Sequence, residues 1–172
     1  MSDIRDKRVE VIKEGFKERG IHYVMDQETY TFHVMFPVKG PFGQVTILLH
    51  VSEQPLLHIM TTIPARPDVD SPETMMETAL FIHRVNFDIP YGAFLFDVND
   101  GEIRFSCPVS LAGTDLTWEM VEFVLTHLFT TIRIYTESIL AVVLYRATAK
   151  EASEAAMQRQ QKLINEAVNR ED

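Results

Sequence analysis

The chain has 172 residues, 46% of them hydrophobic, with eleven phenylalanines, five tyrosines and one tryptophan, enough apolar material for one domain to bury a core without staples. Its single cysteine, Cys107, excludes an intrachain disulfide and agrees with a reducing cytoplasm. The formal net charge of −9 disfavours a nucleic-acid surface, because phosphates need a basic patch; most of the excess lies in residues 64–102, where eight carboxylates stand against two arginines, a feature that serves solubility or attracts a basic partner. Residues 3–19 read as a helix: Ile4, Val11 or Ile12, and Phe16 recur at helical spacing, and Lys7, Arg8, Lys13, Glu14 and Lys17 fill the other sides. Charges of both signs from the third residue onward, with no apolar stretch behind them, speak against a signal peptide. Gly20 suits the helix end, and His22-Tyr23-Val24-Met25 suits a short strand.

Three longer strands follow. Tyr30, Phe32, Val34 and Phe36 alternate with Thr31, His33 and Met35. After a glycine- and proline-rich turn, Val45, Ile47, Leu49 and Val51 alternate with Thr46, Leu48 and His50. After a second turn at 52–55, Leu57, Ile59 and Ile63 alternate with Leu56, His58, Met60 and Thr62. Period two with short turns describes an antiparallel meander with one face in the core. Ser71-Pro72-Glu73 then opens a helix, with a serine cap, a proline in the first turn and an acid beside it. Met76, Leu80, His83 and Phe87 fall near one stripe, and the Met75-Met76 pair reads as core packing in preference to an adaptable groove. A hinge at Ile89-Pro90-Tyr91-Gly92 leads into a hairpin, 93–97 and 102–109, folded over Val98-Asn99-Asp100-Gly101.

Thr117 caps the next helix, in which Val121, Leu125, Leu128, Ile132, Tyr135, Ile139 and Val142 follow at spacings of four and three. Its apolar runs are broken short of the ~18 residues that a spanning helix needs, so no membrane insertion is expected. A helix over 118–147 reaches ~45 Å, longer than the ~27 Å of an eight-residue strand. It must overhang the sheet, bend, or pack on another protomer. From Ala149 the composition shifts to Ala, Glu, Gln, Lys and Arg, with a thin apolar face of Ala156, Leu163, Ile164, Ala167 and Val168. An unbroken helix over 118–168 would reach ~76 Å, so a break near 147–150 or a projecting arm is expected. The expected division is one α+β domain, 1–147, and a C-terminal helical extension, 148–172.

The order α-β-β-β-α-β-β-α predicts an antiparallel sheet of about five strands with helices on one face. At Asn86-Phe87-Asp88-Ile89-Pro90-Tyr91-Gly92-Ala93-Phe94, at the Asp97…Asp100-Gly101-Glu102-Ile103-Arg104-Phe105 hairpin and at Leu116-Thr117, the chain resembles the YbjN-type proteins. These are bacterial proteins described as sensory transduction regulators, with the fold of type III secretion chaperones. The resemblance is closest over 71–145. It implies a small acidic protein, often a homodimer, with no known catalytic residues. The secretion chaperones bind an extended, partly unfolded stretch of a partner along their surface. The segment 148–172 is not part of the pattern.

The outward face of the meander carries His33, Met35, Leu48, His50, Leu56, His58 and Met60. Parity allows His50 beside His58 and His33 across from Leu48. Three histidines on one face could hold a metal or act as a proton switch, yet a metal wants more close ligands and supporting groups. The preferred reading is a half-buried face covered by a partner, a helix or a second protomer. Cys107 reads as a buried inert thiol. Ser106 lacks the glycine elbow of a hydrolase, and Asp97, Asp100 and Glu102 lack a calcium ladder and read as a solvated turn. No cofactor is expected. The resulting expectation is a non-catalytic, cytoplasmic, homodimeric module that binds a protein or peptide, chaperone- or adaptor-like. The alternative is a small-ligand-responsive regulatory protein, which needs a cavity between the long helix and the sheet.

Overall fold

Alternation decides which way each strand faces, and the computed structural model, which describes residues 2–169, follows it closely. The elements are α1 (Ser2–Glu18), β1 (Val24–Asp26), β2 (Thr31–Pro37), β3 (Gln44–Val51), β4 (Leu56–Thr62), α2 (Pro72–Asp88), β5 (Ala93–Phe96), β6 (Ile103–Ser110), α3 (Trp118–Tyr145) and α4 (Ala149–Val168). The strands form one antiparallel sheet in the order β1-β2-β3-β4-β6-β5. The short β1 brings the sheet to six strands, against the five or so expected.

One face of the sheet is the core. Phe32, Val34, Ile47, Leu49, Leu57, Ile59 and Phe105 are almost wholly buried. They share one cluster with Ile12 and Phe16 of α1, Phe81 of α2, and Val121, Leu128 and Ile139 of α3. Each such side chain contributes roughly 1.5–3 kcal/mol on leaving water. Gly15 lets α1 approach α3 closely: a β-carbon there would lie 1.8 Å from the Trp118 ring. Among the described residues no helix covers the outward halves of β2, β3 and β4.

The stripe expected to bury α2 does not. The buried side is Thr74, Thr78, Phe81, Ile82 and Val85, while Met76, Leu80 and Phe87 are 61%, 43% and 90% exposed. The reason is polar satisfaction. Thr78 Oγ1 donates to the Thr74 carbonyl at 2.7 Å, so a threonine can face the core at little cost. Glu77 accepts from the Ala149 backbone N–H at 2.6 Å, which turns this side of α2 toward α4.

The hinge and hairpin stand as expected. Gly92 has φ +75°, and a β-carbon on it would meet Cys107 Sγ at 2.6 Å and the Ser106 carbonyl at 2.8 Å. Only glycine satisfies both demands. Proline at 108 is tolerated because β5 pairs with β6 only as far as Ser106, leaving an edge beyond it. There the Tyr91 hydroxyl donates to the Pro108 carbonyl at 2.8 Å.

The long helix ends at Tyr145. Arg146 takes the left-handed conformation, φ +57°, and Thr148 and Glu151 form a capping box that starts α4. Among the described residues α4 does not project but returns along α2 and α3. Its buried side is Ala149, Ala152, Ser153 and Ala156. Of the apolar face expected for it, Ala156 is buried and Leu163 half-buried, whereas Ile164, Ala167 and Val168 are exposed. Residues 170–172 of the expected extension lie outside the described residues. By length and composition α3 alone, among the described residues, could cross a membrane, and more than half of its most apolar stretch is buried inside the fold.

Candidate functional site

The register sorts the outward side chains into rows across the strands. One row runs Val24, His33, Leu48, Met60, Ser106, Ala93. The next runs Thr31, His50, His58, Pro108. Met35 stands opposite Thr46 and Leu56 opposite Ser110. All seven predicted residues therefore lie on the same uncovered face. Leu48, His50, Leu56, His58 and Met60 are half-buried by their neighbours on adjacent strands. Met35 is 66% exposed and His33 is exposed; β3 flanks both on one side, but on the other β1 ends opposite His33 and does not reach Met35.

The His50 and His58 rings lie 6.4 Å apart between centroids, and His50 Nδ1 is within 3.2 Å of Thr31 Oγ1. His33 stands in the other row. Among the described residues no three metal-ligating side chains come together. The chemistry of this face is apolar contact flanked by imidazoles. Beside Leu48 opens a depression of about 570 Å3, bounded by Phe42, Val45, Thr46, Thr62 and Pro64. It could receive one apolar side chain of a partner as an anchor.

The sheet edges are less open. Asn86 Oδ1 accepts from the Phe94 N–H and its Nδ2 donates to the Phe94 carbonyl, both at 2.8 Å. This side chain occupies the outer edge of β5 as another strand would. The opposite edge, β1, offers three residues.

Several polar groups elsewhere are committed to the fold. Burial pushes the Cys107 thiol up from 9.0 to about 12. Asp97 Oδ1 accepts from the Asn99 N–H and Asp100 Oδ1 from the Glu102 N–H. The Arg104 guanidinium, with Thr62 and Arg66 behind it, holds the Glu102 carboxyl below the usual range.

A second concavity, of about 620 Å3, opens between the β2–β3 turn, α3 and α4. It lies beside the long helix, where the ligand-responsive alternative needs one. Its walls come from three segments far apart in the chain, so no local pattern in the sequence could mark it. The one available hint was four scattered cations, Lys39, Arg133, Arg159 and Lys162, in an acidic chain.

No protein-family model matches the chain, and no curated protein does. Solved structures match its fold. A chain of the ExsC-ExsE complex superposes with a TM-score of 0.55 at 18% identity, covering 78% of this chain and 94% of that one. A chain of the HopA1-SchA chaperone-effector complex gives 0.53 at 14%, with 80% and 97% covered. YbjN from E. coli, described as a candidate transcription regulator, gives 0.51 at 11%, with 80% and 89% covered. The chain thus has the α+β, six-stranded fold that YbjN shares with type III secretion chaperones.

Proposed function

We propose that the chain is a non-catalytic, cytoplasmic protein-binding module, chaperone- or adaptor-like, that takes an extended segment of a partner across the outer face of its sheet. The observation that carries this reading is the uncovered row His33, Leu48, Met60 with its anchor depression. A fold found in a chaperone-effector complex supports it. Contact would come from apolar side chains of the segment laid over Leu48, Leu56 and Met60, with the imidazoles as rim. Face docking is favoured over strand addition because Asn86 occupies the β5 edge. The module would act as a homodimer, joined through the exposed α2 stripe of Met76, Leu80 and Phe87, whose spacing of four and seven keeps them on one helix face and suits helix pairing.

The test is co-purification with Leu48→Asp/Met60→Asp as the comparison. Both residues are half-buried and stand directly opposite each other, so two aspartates there repel and lower the melting temperature; the comparison is made well below the variant's own melting temperature. A polypeptide that stays with the wild type and is lost from the variant supports the reading. A partner retained equally by both, or none with either, would remove the outer face from consideration.

A further inference from the structure

We infer that the pocket between the β2–β3 turn, α3 and α4 binds a small amphipathic carboxylate: an aliphatic or aromatic body with a single anionic head. This site shares Pro41 and Phe42 with the depression beside Leu48 but is otherwise lined by different residues, and the inference does not rest on the docking face. Its volume, about 620 Å3, falls in the range of small-molecule sites, ~300–1,000 Å3. The body of the guest would meet Phe36 and Phe129, whose rings stand edge to face at 5.0 Å, and Val38, Phe42 and Leu163, each half-buried. Apolar side chains left half in water around a concavity are what such a body would cover.

The head group is argued from charge. In a chain of net charge −9, the lining holds Lys39, Arg133, Arg159 and Lys162 against Glu137 and Glu166. Lys39, Arg133 and Lys162 make no ion pair among the described residues. Arg159 is fixed in place: its Nε donates to the Ile134 carbonyl at 3.0 Å, another nitrogen donates to Ser138 Oγ, and a third meets Glu137 at 3.3 Å. A guanidinium held this way costs little to align with an incoming carboxylate. Glu137 shares its charge, which favours a singly charged head over a phosphate. Thr136 lines the pocket, and its hydroxyl is buried with no partner among the described residues.

The experiment is calorimetric titration of the full chain with decanoate, decanol and decylammonium. Decanoate should bind one to one and at least tenfold more tightly than decanol, with decylammonium weakest. Arg133→Glu/Lys162→Glu, both at exposed positions, should weaken decanoate at least tenfold and leave decanol unchanged. If that variant fails to fold, Lys39→Glu alone should give a smaller loss in the same direction. Leu48→Asp/Met60→Asp should leave decanoate binding intact. Equal binding of decanoate and decanol, tighter binding of decylammonium, no effect of charge reversal, or no saturation by decanoate at millimolar concentration would each overturn the inference.

Discussion

Cys107 shows how a single side chain reports the fold. It alternates with Phe105 and Val109 on the core face of β6, and burial raises its thiol from 9.0 to about 12. Below pH 9 both the folded and unfolded chains keep the proton, so stability is unaffected. Between 9 and 12 the unfolded chain releases it and the folded chain does not, so rising pH favours unfolding. Tyr91 and Tyr135, also raised by burial, add a loss of the same sign at higher pH. Denaturant melts at pH 7 and pH 10 should therefore show lower stability at pH 10, by at most ~1.4 kcal/mol per pH unit from this thiol. Cys107→Ala should shrink that difference while lowering stability at both values. A native thiol that reacts freely with a disulfide reagent at pH 8, before unfolding, would contradict the buried environment.

At the scale of elements, legibility followed periodicity. β2, β3 and β4 could be read with their outward sets because period two leaves one choice of face. α3 could be read because Val121 through Val142 hold one unbroken seam. α2 could not be oriented: its larger apolar residues, Met76, Leu80 and Phe87, advertise the wrong side, and the buried side includes two threonines whose hydroxyl needs are met locally. The return of α4 was hidden for a related reason. Ala149, Ala152, Ser153 and Ala156 look like helix propensity, yet small side chains are what let α4 lie close to α3, where Ser138 Oγ donates to the Ala152 carbonyl at 2.6 Å. The joint between these helices gives a prediction. Arg146 is exposed and left-handed, a conformation that costs an L-residue ~1–2 kcal/mol, whereas glycine adopts it freely. After the extra freedom of an unfolded glycine, ~0.4–1 kcal/mol, Arg146→Gly should stabilise the chain by roughly 0.5 kcal/mol. Chemical denaturation would register this as a raised midpoint with unchanged slope. A lowered midpoint would mean that the arginine side chain contributes something the backbone argument omits.

Among the described residues, two of the apolar surfaces left uncovered lie on different layers. The outer sheet face looks away from the helices, whereas the α2 stripe is carried by the helical layer itself. A monomer would have little reason to expose Phe87 at 90%, with Met76 and Leu80 on the same side, since contiguous exposed apolar patches mark interaction sites. The proposed division gives the α2 stripe to a second copy of the chain and the sheet face to an extended partner. Because no residue serves both, lesions in one should not cross to the other. Light scattering should give twice the chain mass for the wild type. It should give the single mass for Leu80→Glu/Phe87→Glu, since closing that seam would desolvate two carboxylates from each copy without partners for them. Leu48→Asp/Met60→Asp should keep the double mass while losing its polypeptide partner. A wild type that scatters as one chain at every concentration would end the assignment of α2. A sheet-face variant that dissociates would show that the copies meet across the strands instead, and the extended segment would then need another home.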